Sequence, residues 1–305
     1  MSEVMQPSAD ILAASREHCR DLSRERAKNF YYGMKLVPEP KRGAMEALYA
    51  WMRLADDLAD EEGSEADKTQ ALAAFQRETH QAVDPALSDA SQLPAGPIWP
   101  AVREMMLTYA VPMDYFDAMI DGQLLDQRKR RYASFDELYD YCYKVASVVG
   151  LSCIEIWGYR GGAETRKLSE YRGIAFQLTN ILRDVLEDAE RDRVYVPADA
   201  LDLFELNPPL FTMGDRKDAE RAVASLAERA ADYYEKSEPL DAQVHPDGRP
   251  CLWAMTQIYR SLLEKIRHNP AAVLSEERVR LSRPRKAWIA LRAVVGKGSG
   301  KAAKW

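Results

Sequence analysis

The sequence has few of the residues that build disulfide frameworks or zinc centres. Four cysteines and four histidines occur in 305 residues, and neither set has the short paired spacings of a zinc site. The cysteines fall in apolar segments with a helical pattern, which is typical of reduced core thiols in a cytoplasmic protein. We therefore expect neither a disulfide scaffold nor a structural zinc ion.

Long apolar runs are also missing. No stretch of about 18 apolar residues is present that could span a membrane. The first ten residues lack the basic and apolar regions of a signal peptide. We therefore expect no transmembrane helix, no signal peptide and a cytoplasmic location, with a flexible basic tail over residues 296–305.

Basic residues are fewer than acidic ones. The chain has 42 lysines and arginines and 48 aspartates and glutamates, which gives a net charge of −6. A nucleic acid is therefore not expected as a partner. No convincing β-strand alternation and no internal repeat occurs, whereas apolar stripes with a period near 3.6 recur along most of the chain. We predict an all-α fold in one domain over residues 1–295, with one of its helices at about Phe135–Gly158.

One acidic stripe lies in the segment Tyr171–Pro197. Asn180, Asp184 and Asp188 recur every four residues, so one amide and two carboxylates share a helix face that Gln177 extends. An arbitrary pair of this kind is usually a solvated surface. Here the acids alternate with apolar residues, and neighbouring carboxylates repel each other unless a cation lies on them.

Another acidic stripe, which comes first along the chain, lies near the end of a predicted helix over Lys41–Glu62. Arg53, Asp56 and Asp60 share one face between apolar residues. Two carboxylate pairs on facing helices would form an oxygen-lined site for a hard divalent cation. Mg²⁺ is expected, with Mn²⁺ as an alternative, and the predicted metal ligands are Asp56, Asp60, Asn180, Asp184 and Asp188.

Three ordered runs resemble the squalene/phytoene synthase family, whose members join two prenyl diphosphates head to head. They are Gln177–Asp188 with Arg193–Pro197, Phe135–Gly150 and Ala47–Arg53. The resemblance extends from about Asn29 to Leu291. It implies a prenyltransferase with the helical isoprenoid-synthase fold, a central active-site cavity and Mg²⁺-dependent diphosphate chemistry. In that chemistry the metal neutralises the diphosphate as the C–O bond breaks.

Several basic and polar residues acquire roles from this resemblance. Arg53 and Arg183 lie beside the two stripes, where a guanidinium can bind phosphate oxygens. Arg183 could equally pair with Glu187 one helical turn away. Arg193 and Tyr195 correspond to a flap over the diphosphate.

The resemblance also implies a tunnel for the prenyl chains. Tyr141 would lie near the reacting carbons, where its ring stabilises a cation or its hydroxyl relays a proton. Core packing alone explains such a helix face in most proteins. The tunnel residues implied are Phe30, Met34, Val145, Gly150, Gly173, Phe176, Gln177 and Tyr259.

The sequence indicates the family more clearly than it indicates the length of the substrates and hence the product. Medium-to-large residues at Phe30, Met34 and Phe176 favour two C15 farnesyl diphosphates, giving presqualene diphosphate or a squalene-type C30 product. The alternative is phytoene synthase, which joins two C20 geranylgeranyl diphosphates for carotenoid synthesis. No G-x-G-x-x-G fingerprint is present, but the resemblance allows NADPH use without one, so reduction by NADPH stays open.

Two other functions agree less well with the sequence. A terpene cyclase or head-to-tail elongase has the same fold, but the runs around Gln177–Pro197 and Tyr141–Gly150 favour the head-to-head family. A non-catalytic assembly factor would not need both acidic stripes. A lipophilic product would also suit peripheral association with a membrane, while the oligomeric state is not predicted.

Overall fold

The structure is a computed structural model, which describes residues 7–27, 29–198, 216–275 and 278–295. These residues form helices and contain no β-strand, which confirms the predicted all-α fold. The described helices are α1 (Ala9–Arg26), α2 (Asn29–Met34), α3 (Lys41–Asp60), α4 (Glu65–Ala82), α5 (Trp99–Tyr109), α6 (Met113–Arg128), α7 (Phe135–Cys142), α8 (Val148–Trp157), α9 (Gly162–Glu190), α10 (Arg216–Lys236), α11 (Leu240–Gln243), α12 (Arg249–His268) and α13 (Arg283–Val295). The predicted tail, 296–305, lies outside the described residues.

Helix starts follow local capping chemistry. The Ser64 hydroxyl accepts a hydrogen bond from the Asp67 amide, and the Asp67 carboxylate accepts one from the Ser64 amide. This reciprocal capping box satisfies two amides that would otherwise lack partners at the start of α4. Ser134 caps α7 by accepting from the Glu137 amide. The polar loops before α4 and α7 therefore end where the sequence supplies a cap.

Two large apolar clusters, and a smaller one that holds α13 against α12, join the helices. The first surrounds Trp51 of α3, whose ring packs edge-on against Phe116 and whose indole N–H donates to Thr79 Oγ1 at 2.9 Å. The second joins α7, α9 and α10 around residues such as Leu178 and Ala227. All four cysteines are free and buried, as expected. Among the residues described, no helix combines the length and apolar character needed to cross a membrane.

The predicted helix over Phe135–Gly158 is present, since residues 135–157 are helical without a gap, but it is not a regular α-helix throughout. A π-helical turn over Tyr143–Ser147 separates α7 from α8, and such wide turns are rare and frequent at functional sites. Two glycines on the neighbouring helices make room for it. A Cβ on Gly122 of α6 would meet Val145 Cγ1 at 2.8 Å, and one on Gly173 of α9 would meet Ser147 Cα at 2.4 Å.

Gly173→Ala should therefore destabilise the protein, because the new methyl group would lie against the Ser147 backbone. Forcing such an overlap typically costs about 1–3 kcal/mol. Gly150→Ala on α8 is the matched control, since its Cβ would meet Ser169 Oγ at 3.3 Å. Urea denaturation should give a clearly lower midpoint for Gly173→Ala alone. Equal midpoints for the two variants would contradict this packing argument.

Candidate active site

A largely apolar cavity lies between α2, α3, α8, α9 and α12. Most of the predicted tunnel residues line it. They are Phe30, Val145, Gly150, Gly173, Phe176, Gln177 and Tyr259, and the predicted metal ligand Asn180 also lines the cavity. The Phe176 and Tyr259 rings stack with their centroids 4.6 Å apart, so two aromatic faces form part of the wall. An apolar wall of this kind suits a hydrocarbon chain.

Two residues predicted at the tunnel are not on this wall. Met34 is 1% exposed and packs in the cluster around Trp51, so the structure does not place it where it would limit the length of a bound chain. Tyr141 is also buried, in the second cluster. Its ring lies 5.1 Å from that of Tyr195, and its hydroxyl donates to the Tyr195 hydroxyl at 3.3 Å. Helical periodicity alone could not distinguish these environments from the cavity wall.

The polar residues Gln177 and Asn180 of α9 line the cavity on the side nearer the second stripe. Asn180 Nδ2 donates to Gln177 Oε1 at 3.4 Å. Asn180 Oδ1 is buried and has no hydrogen-bond partner among the described residues. A buried amide oxygen without a partner is costly unless a donor or cation meets it. This side of the cavity is therefore suited to a polar ligand or a metal ion.

The first acidic stripe lies at the end of α3. Gln123 of α6 donates to Asp56 Oδ1 at 2.6 Å, and Arg53 pairs with Asp57. Burial raises the pKa of Asp56 to about 6, with a further contribution from the nearby charge of Asp60 and an opposing one from Arg53. Asp56 also lines a small cavity that shares Met52, Val145 and Val149 with the large one. The stripe thus borders the apolar cavity.

The second stripe, on α9, is partly neutralised by arginines. Asp184 Oδ1 accepts from Arg183 Nε at 2.8 Å and from Arg278 Nε at 2.7 Å. The ion pair of Arg183 is thus with its neighbour Asp184, and the alternative pairing with Glu187 is wrong. Glu187 pairs instead with Arg191 at 2.9 Å. Arg183 therefore lies at the stripe, where a phosphate could take the place of Asp184.

Asp188 differs from Asp184 because, within the described part of the chain, it has no arginine ion pair. Its pKa is raised to about 7, mainly by burial and also by the charges of Asp184 and Asp126, while Arg193 opposes this rise. A carboxylate held against other carboxylates gains from a bound cation. The end of α9 is accordingly a place of unbalanced negative charge.

Asp126 of α6 is a site residue that sequence reasoning missed. Arg193 Nη1 lies 2.9 Å from Asp126 Oδ2, and the Tyr195 hydroxyl donates to Asp126 Oδ1 at 2.6 Å. Asp126 therefore anchors the segment after α9 in which Arg193 and Tyr195 lie. Its spacing of three residues from Gln123 was visible in the sequence, but nothing there identified the partners of either residue.

A buried arginine was also missed. Arg172 of α9 lies in the cavity wall and is 4% exposed. It donates from Nε to Ser237 Oγ at 2.9 Å and from Nη2 to Ser237 O at 2.9 Å, and Nη1 donates to Thr256 Oγ1. With its donors engaged in this way, Arg172 ties α9 to the end of α10 and to α12. Its contacts are those of a structural residue.

The residues predicted to bind a metal fit that role only in part. Within the described ranges, no three or more His, Cys, Asp or Glu residues are close enough together to hold a metal ion. Asp56 and Asp188 nevertheless have raised pKa values, and Asn180 has a buried oxygen without a partner. Mg²⁺ is commonly held by one or two carboxylates together with substrate phosphates. The donor set fits a metal of that kind, completed by the substrate.

Asp188 should destabilise the metal-free protein at alkaline pH. Its pKa of about 7 exceeds the ordinary value of 3.8, so the unfolded chain loses this proton first and folding is penalised increasingly between about pH 4 and pH 7. Asp188→Asn should therefore raise Tm by a few degrees at about pH 8, with the gap closing near pH 4.

Thermal melts in EDTA at both pH values test this expectation. Asp184→Asn is the matched control, because it removes a carboxylate that two arginines bind. This control variant should have a lower Tm than the wild-type protein at alkaline pH. A stabilisation by Asp188→Asn that does not change with pH would contradict the assignment.

Known proteins with this sequence pattern fall in one family. The family model for squalene/phytoene synthase matches residues 23–285. The phytoene synthase of Mycobacterium tuberculosis is 35% identical over 277 residues, which cover 90% of this chain and 88% of the relative. The 15-cis-phytoene synthase of Synechococcus elongatus is 34% identical over 272 residues, covering 85% of each chain.

Solved structures agree with the sequence comparison. A dehydrosqualene synthase in complex with a ligand superposes with a TM-score of 0.82 at 25% identity, covering 95% of this chain and 98% of that one. Squalene synthase HpnC from Alicyclobacillus acidocaldarius gives a TM-score of 0.76 at 28% identity, covering 84% and 94%. These likenesses confirm the isoprenoid-synthase fold. The chain belongs to the squalene/phytoene synthase family of prenyltransferases.

Proposed function

We propose that this protein condenses two prenyl diphosphates head to head, joining them 1′-1 in a reaction that depends on Mg²⁺. One observation carries the proposal. An apolar cavity lined by five helices includes Gln177 and Asn180 of α9, and the carboxylates of Asp184 and Asp188 follow Asn180 by one and two helical turns. Hydrocarbon and diphosphate therefore have separate, adjoining environments, as a prenyl diphosphate requires.

The proposed metal ligands are those expected from the sequence, Asp56, Asp60, Asn180, Asp184 and Asp188. When bound, Mg²⁺ supplies positive charge that stabilises the diphosphate leaving group. Arg53, Arg183 and Arg278 already lie at the two stripes as partners of aspartates. A diphosphate arriving at the site would offer these guanidiniums new acceptors, and bidentate contacts would orient the leaving group.

Three residues after and beside α9 form the proposed cover of the diphosphate. Arg193 and Tyr195 are anchored by Asp126, which holds this segment against α6. The Tyr141 hydroxyl donates a hydrogen bond to the Tyr195 hydroxyl, which extends this network by one residue. Burial raises the pKa of Tyr141 well above its ordinary value, so its phenol stays protonated. We propose that the Tyr141 and Tyr195 hydroxyls hold a proton near the departing diphosphate.

For chain length we propose two C15 farnesyl diphosphates. Phe30 and Phe176 stand on the cavity wall, where large rings shorten the space available to a chain. A second candidate, two C20 geranylgeranyl diphosphates, is favoured by the relatives, which are named phytoene synthases. The choice between them amounts to a few methylenes, about 1–3 kcal/mol of discrimination.

Product identification tests the proposal. Purified protein with Mg²⁺ is incubated with farnesyl or geranylgeranyl diphosphate, with and without NADPH, and the lipids are analysed by mass spectrometry. A C30 diphosphate or hydrocarbon from the C15 substrate is the expected result. A C40 product made in preference would select the second candidate, and NADPH dependence would show whether the intermediate is reduced. Only unreacted or hydrolysed substrate would overturn the proposal.

A further inference from the structure

Positive charge is concentrated at one end of the chain. Residues 278–305 contain nine arginines and lysines and no acid. The whole chain has a net charge of −6, so residues 1–277 carry a net charge of −15. A basic segment on an acidic protein is typical of contact with an anionic surface.

Helix α13, in this basic segment, is amphipathic in an unusual way. Its inner face packs on α12 through Ile289 and Ala293, which are 1% and 3% exposed. Its outer face bears Trp288, Leu291 and Val295, which are 40%, 62% and 67% exposed. A helix that serves only to cover the core would not need large apolar residues on its solvent side.

Cations flank the exposed indole of Trp288. The guanidinium carbon of Arg285 lies 4.7 Å from the ring centre, and that of Arg292 lies 5.1 Å from it. Tryptophan beside arginine is the combination favoured at a membrane–water interface, where the ring lies at headgroup level and the charges meet lipid phosphates. The outer face of α13 thus combines both kinds of contact.

An apolar groove runs along one side of α13. Its walls come from Tyr32 and Leu36, from Ala254, Met255 and Ile258 of α12, and from Ala290. Tyr32, at the edge of the groove, is 67% exposed. The groove extends the apolar surface of α13 sideways to α2.

A polar recess lies between α12 and α13. It contains the cations Arg260, Lys265 and Arg285 with the hydroxyl of Ser261, and one acid, Glu264. Lys265 donates to the carbonyl oxygen of Arg280 at 2.8 Å. An excess of cations in an open recess suits the phosphate of a lipid headgroup.

We propose that the outer face of α13, with the groove and recess beside it, docks on an anionic lipid bilayer. The combination of apolar side chains and cations favours a bilayer over a nucleic acid, which would need the cations alone. A second copy of this chain is disfavoured as the occupant, because two faces with the same excess of positive charge would repel each other.

The groove also approaches the substrate cavity. Met255 lines both of them. The wall near Met255 is thin, since a Cβ on Gly33 would meet Cys251 Sγ at 3.3 Å and Met255 Sδ at 3.6 Å. Docking would therefore place the bilayer next to the side chain that separates it from the cavity. A lipophilic product could pass Met255 into the lipid, and this step alone rests on the proposed function.

Vesicle flotation with the full chain tests the docking face. Wild-type protein should float with vesicles of phosphatidylcholine and phosphatidylglycerol and remain unbound with phosphatidylcholine alone. The double variant Arg285→Glu/Arg292→Glu should partition at least about tenfold more weakly, because each cation near an anionic surface contributes roughly fivefold. Trp288→Ser should also weaken binding at unchanged charge.

The matched control is Arg24→Glu/Arg77→Glu, which makes the same charge change at exposed positions of α1 and α4. It should bind like the wild type, and circular dichroism should show all variants folded. Equal loss in both double variants would mean a non-specific charge effect and overturn the proposal. So would binding that survives in Arg285→Glu/Arg292→Glu, or a wild-type dimer that this variant dissociates without any vesicle binding.

Product transfer is measured separately. Anionic vesicles should raise the multiple-turnover rate of the wild type by a few fold and leave its single-turnover rate unchanged. If no single turnover occurs, the proposed function fails while vesicle binding still decides the docking face. If vesicles bind but leave multiple turnover unchanged, the passage past Met255 is wrong.

Discussion

Asp184→Asn should reduce turnover by about a thousandfold or more, equivalent to at least about 4 kcal/mol of lost transition-state stabilisation. The amide keeps the shape of the side chain but removes the charge that the second acidic stripe offers to a cation. Asp60→Asn, which removes a carboxylate of the first stripe, should reduce turnover by a similar factor. Both variants should stay folded, because neither residue lies in an apolar cluster.

Glu187→Gln is the matched control for Asp184→Asn. Glu187 lies one turn further along α9 and pairs with Arg191 and Arg278, but it is not among the proposed ligands. Its loss should change kcat by less than about threefold, as expected for an exposed ion pair. Steady-state rates across a range of Mg²⁺ concentrations provide the measurement. If Asp184→Asn kept the wild-type turnover at limiting Mg²⁺, Asp184 would not be a metal ligand.

Phe30→Ala should shift the substrate preference toward geranylgeranyl diphosphate by a factor of roughly 10 to 200, the range for a pocket that gains a few methylenes of space. Phe30 lines the cavity on α2, so its loss opens volume there. Phe176→Ala should act in the same direction, although it also removes the ring stacked on Tyr259.

Met34→Ala separates chain-length control from general loss of packing. Met34 is fully buried away from the cavity wall, so its truncation should cost about 2–5 kcal/mol of stability. The ratio of kcat/KM values for the two substrates should not change. A shift in Met34→Ala as large as that in Phe30→Ala would mean that Met34 limits the chain after all. No shift in either phenylalanine variant would end the structural case for a C15 substrate.

Local spacing predicted much of the site. The recurrence of Asn180, Asp184 and Asp188 every four residues required only that the segment be helical, and α9 is helical throughout. The caps that Ser64 and Ser134 form at the starts of α4 and α7 are equally local. These features depend on neighbours a few residues apart, which a sequence displays directly.

Contacts between distant segments could not be predicted in this way. Arg278 binds Asp184 across 94 residues, and Asp126 is joined to Tyr195 across 69. Repulsion between neighbouring carboxylates, as inferred from the sequence, would leave the metal-free protein at least as stable without Asp184. The structure reverses this expectation, because Arg183 and Arg278 both bind Asp184.

The π-helical turn illustrates a different limit. Tyr143–Ser147 has the apolar pattern of a regular helix, and the wide turn depends on space that Gly122 and Gly173 leave on two other helices. Neither glycine alone predicts a wide turn from the sequence. Their role is visible only once α6 and α9 are seen to pack against the same turn.

The bond formed between the two substrates is the most direct measurement of the central claim. Farnesyl diphosphate labelled with ¹³C at C1 is converted with Mg²⁺ and NADPH, and the hydrocarbon product is examined by ¹³C NMR. Head-to-head joining predicts that the two labelled carbons are bonded to each other at the centre of a symmetric hydrocarbon, so they are equivalent and give a single enriched signal. A condensed product with two different enriched signals, from labelled carbons separated by the rest of a prenyl unit, would be head-to-tail and would contradict the account.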